Sequence, residues 1–304
     1  MKVGILVNSA AGRGRAETYA RQLAPALDAD GHDVEVCHVN PAPVAWDLDA
    51  FVHANDAMVV VGGDGTLQST TSAARRAGTP LYHAPFGTEN LFARELSMVE
   101  DIDVVRETLR TNRVDRLDLG RCDDKPFLLM LSIGFDANVV HRLARRRQGT
   151  ITHLSYVRPI VAELVHGVAP RLTVEIDGKP LVCDEPGLLV IANSRQYALR
   201  IDPAPGASMT DGKLDVVFFP AGTPFGLLLW AARARFRVQH RSPRLITGRA
   251  REIKVSSSNH MLVYQVDGEA AGDLGNARSR FATREPEGEL DIGVIPAALP
   301  VLRT

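Results

Sequence analysis

A strand that is apolar on both faces, followed at once by a glycine-rich turn, most constrains the fold of this chain. Residues 57–61 are uniformly apolar, and Gly62-Gly63-Asp64-Gly65-Thr66 follows them directly. Such a strand is typical of a parallel sheet, because helices cover both faces of that kind of sheet. We therefore expect a strand–loop–helix unit here, inside an α/β domain.

The segments around this unit repeat the alternation of strand and helix. Their β-α-β-α-β order predicts a doubly wound, mostly parallel sheet of the kind found in nucleotide-binding domains. The predicted strands are residues 2–7, 34–39, 57–61 and 81–84, and the predicted helices are residues 16–28, 48–53 and 66–77.

Beyond about residue 113 the pattern changes, and strands dominate it. This half predicts an antiparallel β-sandwich-type domain. We expect a nucleotide-binding domain at residues 1–121 and a β-rich substrate domain at 122–291, with a tail from about 292 to 304 packing back on the first. The predicted strands are residues 116–121, 127–133, 171–176, 187–192, 213–219, 251–255, 260–266 and 289–295, and the predicted helices are 154–168 and 225–238.

Composition excludes several classes of protein. The chain has 304 residues, of which 45% are hydrophobic and 23% charged, which is the balance of a globular protein and not of a disordered or collagen-like one. The net charge of −1 gives no global field for nucleic acid. The apolar run near residues 227–232 is far short of the roughly 20 residues that a spanning helix needs. We expect a cytoplasmic protein.

The glycine-rich turn has the composition of a phosphate site. Three glycines in four positions are expected to take positive φ and to expose backbone N–H groups at a helix N-terminus. Asp64 in the middle of such a loop would repel phosphates unless a cation such as Mg²⁺ lay between them. The alternative is a tight turn in which Asp64 only caps a helix.

Two further polar loops follow neighbouring predicted strands. Residues 8–15 contain a G-x-G after the first strand, without the third glycine of a dinucleotide fingerprint and without a Walker lysine. Residues 85–90 follow the fourth strand, where Thr88 can cap a helix or bond a phosphate. Loops at the carboxyl ends of parallel strands meet at one edge, so the three together predict a nucleotide crevice.

These motifs resemble a known family. The loops just described are similar to those of the lipid kinases that include bacterial diacylglycerol kinases, YegS-type kinases, sphingosine kinases and ceramide kinases. The GGDGT sequence alone also occurs in NAD kinases and phosphofructokinase relatives. The resemblance extends through most of the chain, from residue 8 to about 270, and rests on Gly62–Thr66, Gly87–Asn90, Ile133–Ala137, Pro203–Pro205, Asp211–Asp215 and Val266–Glu269.

The resemblance implies an ATP-binding loop with magnesium and a catalytic carboxylate. In the family, the glutamate of the D-G-E segment takes the proton of the acceptor hydroxyl, which corresponds here to Glu269 with Asp267 beside it, while Asp64 supports the metal and triphosphate. Residues two apart on a strand share a face, so both carboxylates are expected to point into one cleft. The alternative is a hairpin turn at Asp267-Gly268. The implied ATP contacts are Asn8, Ser9, Ala10, Ala11, Gly12, Gly62, Gly63, Asp64, Gly65, Thr66, Leu67, Gln68 and Thr88.

Two more sites are implied by the resemblance. Ser208, Asp211 and Lys213 correspond to a structural Mg²⁺ loop of some bacterial members, although an Asp-Gly pair before an apolar strand is also a common turn. Asp136 corresponds to a position that helps recognise the lipid head group in sphingosine kinases, and it could equally cap a helix.

The chain departs from the family pattern at three places. Ser9 stands where the family usually has proline, Gln68-Ser69 where it often has Asn-Glu, and Leu91 where it usually has aspartate. The last change removes a carboxylate from the expected metal network and leaves the acceptor lipid open.

The sequence therefore predicts an ATP-dependent lipid kinase that phosphorylates diacylglycerol or a related lipid and so belongs to phospholipid metabolism. The alternatives are an NAD kinase-like enzyme and a catalytically inactive nucleotide- or lipid-binding member. A homodimer is left open.

Arginine clusters suggest transient contact with the inner face of an anionic membrane. One lies at residues 142–147, and the other, at 233–251, is interleaved with Trp230 and Phe236. The alternative is a solvated helix face with ion pairs.

Overall fold

The computed structural model describes residues 1–39, 47–145, 169–257, 262–271 and 289–303. The chain divides into two compact units: unit 1 comprises Met1–Asp118 and Ala297–Thr304, and unit 2 comprises Leu119–Pro296. The predicted helix at 154–168 lies outside the described residues, as do residues 146–147 of the first arginine cluster and the first two residues of the strand predicted at 260–266.

Unit 1 is built on a parallel sheet. Its strands are β1 (Lys2–Val7), β2 (Asp33–His38), β3 (Ala57–Gly62) and β4 (Leu81–Pro85), in the spatial order β2-β1-β3-β4. The last residues of the chain add a further parallel strand beside β4, through the pair Val301 and Leu81. Every residue of β3 is buried, as expected for a strand with both faces covered.

Helices connect the strands of unit 1. The first helix buries Tyr19, Leu23 and Leu27, at the spacing of one helix face. The third ends at Gly78, which adopts a φ of 70° that favours glycine. The fifth was not predicted from the sequence; Asp101 caps it by accepting from two backbone N–H groups. The helices are α1 (Arg15–Ala29), α2 (Leu48–His53), α3 (Asp64–Ala77), α4 (Leu91–Leu96) and α5 (Ile102–Thr111).

Unit 2 is dominated by antiparallel strands. It also contains helices α6 (Phe135–Arg145) and α7 (Pro224–Arg235). The described strands are β5 (Val114–Cys122, which begins in unit 1), β6 (Lys125–Phe127), β7 (Met130–Ile133), β8 (Arg171–Ile176), β9 (Lys179–Ala192), β10 (Leu214–Pro220), β11 (Ile246–Ala250), β12 (Glu252–Ser257), β13 (Tyr264–Val266), β14 (Glu269–Ala271) and β15 (Glu289–Leu302, which ends in unit 1).

The long strand β9 joins two layers. Its first half pairs with β8, which continues through β12 to β15, and its second half pairs with β7 and β10. Apolar side chains of both layers, among them Val174, Phe218 and Ile253, share one core. The predicted fold class, an α/β domain followed by a β-sandwich, is confirmed.

Several strand predictions needed correction. The strand expected at 187–192 begins at Lys179, and of the strand expected at 260–266 the described residues form only Tyr264–Val266. The strand expected at 127–133 is interrupted between β6 and β7, because the backbone N–H groups of Leu128 and Leu129 donate to the Asp267 carboxylate. The last strand runs on to Leu302, beyond the expected end at residue 295. Among the described helices, none is both long and apolar enough to cross a bilayer.

Candidate functional site

Three loops meet at the carboxyl edge of the unit 1 sheet. The strands β1, β3 and β4 are neighbours, and their ends are in register. The Asn8 N–H donates to the Val61 carbonyl at 3.0 Å, and the Phe86 N–H donates to the Gly62 carbonyl at 2.7 Å. The parallel strand order therefore places the loops after β1, β3 and β4 side by side.

Close backbone contact explains two of the loop glycines. A Cβ on Gly87 would lie 2.6 Å from the Gly63 Cα, and one on Gly63 would lie 3.0 Å from the Gly87 Cα. The predicted positive φ is wrong for Gly62, Gly63 and Gly65, none of which lies in the left-handed region. Glycine is needed here because two loops approach each other. In the first loop, by contrast, Gly12 does have a positive φ, of 59°.

Asp64 ties the second loop to the third. Its two carboxylate oxygens accept from the backbone N–H groups of Leu91, at 3.0 Å, and Phe92, at 3.2 Å. Asp64 therefore caps the start of α4, whereas its own helix α3 has Gly63 as N-cap. At Leu91 the chain lacks the family's aspartate, and it is the backbone of Leu91 that contacts Asp64.

Asn90 shapes the turn just before α4. Its backbone has a φ of 50°, its side-chain oxygen accepts from the Gly87 N–H at 2.7 Å, and its amide donates to the Gly87 carbonyl at 3.0 Å. These bonds hold Gly87 against Gly63.

Side chains also fix the first loop. The Asn8 amide donates to the Thr66 hydroxyl at 3.3 Å, and the Ser9 hydroxyl donates to Glu17 at 2.8 Å. The hydrogen bond from Ser9 is the main reason that the pKa of Glu17 lies below its ordinary value, and His38 lies 3.1 Å from the same carboxylate. The first loop is thus bonded both to α1 and to the glycine-rich turn.

Most of the predicted ATP contacts border this edge. Ala10, Gly65 and Thr88 are exposed. Leu67 is different, because its side chain is fully buried and its N–H donates to the Gly63 carbonyl. Gln68 is also buried, at 5% exposure. The structure does not bring the side chains of Leu67 and Gln68 to the surface of the loops. Asn8, Ser9, Ala11, Gly12, Gly63 and Asp64 are half-buried, and Gly62 and Thr66 are buried.

Two arginines of the first loop were missed by sequence reasoning. Arg13 and Arg15 are exposed, and within the described residues neither forms an ion pair. The Arg15 guanidinium donates to the Gly12 carbonyl at 3.3 Å and lies 5.8 Å from the centre of the Phe86 ring. Cations beside exposed backbone N–H groups favour a phosphate ligand. The sequence signal that could have identified them is that each directly follows a glycine of the first loop, Gly12 or Gly14.

His83 lies beneath the glycine-rich turn. It is fully buried, and its Nε2 donates to the Gly62 carbonyl at 3.0 Å. Burial lowers the pKa of His83, so the neutral ring supports the loop. No motif identified this residue, because a histidine inside a strand has no distinctive spacing.

In unit 2, Asp267 and Gly268 form the two-residue turn between β13 and β14. Their φ angles are 50° and 82°, and Val266 pairs with Glu269 across the turn. The prediction that Asp267 and Glu269 share one strand face is therefore wrong, because a turn separates them. The Asp267 carboxylate instead accepts from the N–H groups of Leu128, Leu129 and Met130 at 2.7–3.0 Å.

A hydrogen-bond chain joins this turn to Asp136. The Gly268 N–H donates to the Gln265 side chain at 2.7 Å, and the Gln265 amide donates to the Ser132 hydroxyl at 2.6 Å. Ser132 then donates to Asp136 at 2.5 Å. The structure thus brings the segments Ile133–Ala137 and Val266–Glu269 together, with Glu269 half-buried at the first position of β14. We call Asp136, Ser132, Gln265, Tyr197 and Glu269 the polar cluster.

Asp136 lies in the first turn of α6. Burial raises the pKa of its carboxyl, and the hydrogen bonds from Ser132 and Tyr197 oppose that effect. Tyr197 was missed from the sequence, since it lies far along the chain from both motifs. An acceptor held by hydroxyl donors suits the binding of a polar head group.

In the predicted Mg²⁺ loop, the Asp211 carboxylate already has partners. One Asp211 oxygen accepts from the Lys213 N–H at 3.0 Å, and the other forms an ion pair with the Arg249 guanidinium. Ser208 bonds to the Thr210 hydroxyl at 3.2 Å. Within the described ranges there is no group of three acidic, histidine or cysteine side chains that could hold a metal. Ser208, Asp211 and Lys213 stay a predicted Mg²⁺ site, and Arg249 neutralises its one carboxylate in this structure.

Comparison with known proteins yields two family models. Residues 2–122 match the model "Diacylglycerol kinase catalytic domain", and residues 130–303 match "YegS C-terminal NAD kinase beta sandwich-like domain". The second model alone covers more than half of the chain.

Individual relatives agree with these models at low identity. The chain is 26% identical to the diacylglycerol kinase of Mycobacterium tuberculosis (strain H37Rv), over 99% of this chain and 95% of that one. It is 25% identical to an uncharacterised Synechocystis protein, sll0036, over 55% of this chain and only 37% of that protein. The crystal structure of a diacylglycerol kinase from Bacillus anthracis superposes with a TM-score of 0.71, at 17% identity, and covers 100% of this chain and 97% of that one.

Proposed function

Since the chain belongs to the diacylglycerol kinase catalytic-domain family, we propose that it transfers the γ-phosphate of ATP to the hydroxyl of a lipid, diacylglycerol or a related alcohol. The observation that carries this proposal is the edge of unit 1, where Gly63 and Gly87 touch and Asp64 joins two loops. This arrangement offers backbone N–H groups and two arginines to a polyphosphate.

Unit 1 binds the nucleotide. The loops of residues 8–12 and 62–66, with Thr88, surround the phosphates, while Arg13 and Arg15 supply positive charge. Asp64 would hold a Mg²⁺ shared with the nucleotide. Each of its oxygens accepts one backbone N–H and keeps a second lone pair, and Mg²⁺ commonly takes one or two carboxylates together with substrate phosphates. When bound, the ion neutralises charge on the β- and γ-phosphates.

Unit 2 supplies the proton acceptor and the head-group contact. The lipid hydroxyl oxygen forms a bond to the γ-phosphorus, the bond from that phosphorus to the β–γ bridging oxygen breaks, and ADP leaves. Glu269 accepts the hydroxyl proton. Asp267 is a positioning residue, because its carboxylate holds the segment between β6 and β7. Asp136 accepts a hydrogen bond from the head group.

An NAD kinase-like activity is the second candidate, because the family model that matches residues 130–303 is described as an NAD kinase beta sandwich-like domain. The two are separated by incubating the chain with labelled ATP and either NAD or a panel of diacylglycerol, a sphingoid base, a phosphatidylglycerol and an isoprenoid alcohol. We expect label in a lipid. Label in NADP alone would overturn the proposal, and ATP binding without transfer to any acceptor would favour the inactive alternative.

A further inference from the structure

Helix α7 is apolar on two sides. One side packs inward through Leu227, Trp230 and Ala234, which are all buried. The Trp230 indole donates to the Pro220 carbonyl at 3.0 Å, and its ring lies 5.4 Å from that of Phe219. The Trp230 ring, which the sequence places beside the second arginine cluster, therefore belongs to the core of unit 2.

The other side of α7 presents large apolar side chains to solvent. Phe225 is 78% exposed, and Leu228 and Leu229 are 43% and 49% exposed; Phe236, directly after the helix, is 74% exposed. Leu228, Leu229 and Phe236 follow Phe225 by three, four and eleven residues, and this spacing places the four side chains along one side of the helix. We call these four residues the outer stripe. Surface helices of globular proteins usually carry polar residues on this side, so the outer stripe lacks its expected covering.

The charge around the outer stripe has one sign. Residues 216–250 contain six arginines and neither aspartate nor glutamate. Arg237 and Arg249 pair with acidic residues from outside this segment, and Arg233 stacks on Trp230 at 5.1 Å. The other three arginines are Arg235, Arg241 and Arg244. They are exposed, and among the residues the structure describes no ion pair is found for them.

We propose that the outer stripe, with Arg235, Arg241 and Arg244, docks on the surface of an anionic lipid bilayer. Apolar side chains flanked by cations are the pattern of helices that lie in the plane of a membrane interface. A second copy of the chain is disfavoured, because a two-fold contact would bring the arginines of both copies together. The helix has 12 residues, which suits lying in the interface and not crossing it.

The proposal rests on the proposed function in one respect: it names the surface by which a lipid kinase reaches its substrate. Its test therefore measures binding without turnover. The full chain is sedimented, in the absence of ATP, with vesicles of phosphatidylcholine and with vesicles of an equimolar mixture of phosphatidylcholine and phosphatidylglycerol. We expect binding to the anionic vesicles that weakens as salt is raised.

Two variants locate the surface. One carries Phe225→Ser, Leu228→Ser and Leu229→Ser, and the other carries Arg235→Gln, Arg241→Gln and Arg244→Gln. Each is expected to lower the partition coefficient by about tenfold or more. The controls change exposed residues of unit 1: Val99→Ser with Val114→Ser, and Arg75→Gln with Arg113→Gln and Arg116→Gln. These are expected to bind like the wild type.

Equal binding of the outer-stripe variant and the wild type would overturn the proposal, as would equal binding of the wild type to neutral and anionic vesicles. So would a dimer in solution that either variant dissociates. The arginine variant leaves every apolar contact of α7 unchanged, so its binding decides the test if the serine variant does not fold. If a variant no longer binds vesicles but still phosphorylates a lipid dispersed in micelles, its defect lies in docking on the bilayer. If the chain binds vesicles but transfers phosphate to no lipid, the docking surface is supported and only the proposed kinase activity is contradicted.

Discussion

The loops of unit 1 and the polar cluster of unit 2 are built from different kinds of atoms. In unit 1 the edge of the sheet is shaped by backbone contact, and most polar side chains there bond to the loops themselves, as Asp64 does to the N–H groups of Leu91 and Phe92. In unit 2 a chain of side chains runs from Gln265 through Ser132 to Asp136. The first region is suited to holding a polyphosphate and the second to moving a proton and recognising a head group. Changes in the two regions should therefore affect different steps.

The largest effect is expected from Glu269→Gln in unit 2. Because the amide cannot accept the hydroxyl proton, kcat should fall by about 100-fold or more. The ATP dissociation constant, measured by calorimetry, should stay within about twofold of the wild type, because the nucleotide loops are unchanged. Glu185→Gln, at an exposed position of the same unit, is the control. Full turnover by the Glu269 variant would remove Glu269 from the reaction.

A smaller effect with the opposite signature is expected from Gly87→Ala in unit 1. The new Cβ would lie 2.6 Å from the Gly63 backbone, so one loop must move. Overpacking of this kind costs about 1–3 kcal/mol, which corresponds to a loss of ATP affinity of about fivefold or more. The control is Gly222→Ala, whose Cβ meets only Pro186, at 4.0 Å. Unchanged ATP affinity of the Gly87 variant would show that the two loops do not form the nucleotide site.

The smallest effect concerns pH and stability. The pKa of Asp136 is raised by burial, so its ionised form is disfavoured in the folded state. Unfolded aspartate ionises near pH 4, so this group costs stability as pH rises from about 4 through the raised folded pKa. Asp136→Asn removes that cost, and its Tm relative to the wild type should rise across this range. Asp124→Asn, at an exposed loop position, is the control. A constant difference in Tm between Asp136→Asn and wild type would contradict the role of burial.

Sequence patterns predicted the geometry of the unit 1 edge well because it depends on strand order and glycine, both of which are local signals. The β3 strand and the turn after it were located by composition alone. The sequence did not reveal why Gly63 and Gly87 must be glycines, since their contact joins segments far apart in sequence. The same limit applies to Asp64, whose partners are backbone groups of α4.

The polar cluster was predicted less completely. Asp136 and Glu269 were identified through resemblance. The side chains that bond to Asp136 or link it to the turn before Glu269 were not, because Gln265, Ser132 and Tyr197 lie on separate elements and carry no motif. Spacing along the chain also misplaced Asp267, since a positive φ turned an expected strand into a hairpin turn. The pairing of Asp211 with Arg249 across the sheet was likewise invisible in the sequence.

The most direct test of the account measures ADP and phosphorylated lipid in the same reaction, with the lipid product identified by mass. If unit 1 binds ATP and unit 2 directs its γ-phosphate to a lipid hydroxyl, ADP should form only when a lipid alcohol is present, with one phosphorylated lipid for each ADP. Formation of ADP without a phosphorylated lipid, at the same rate with and without acceptor, would contradict the account.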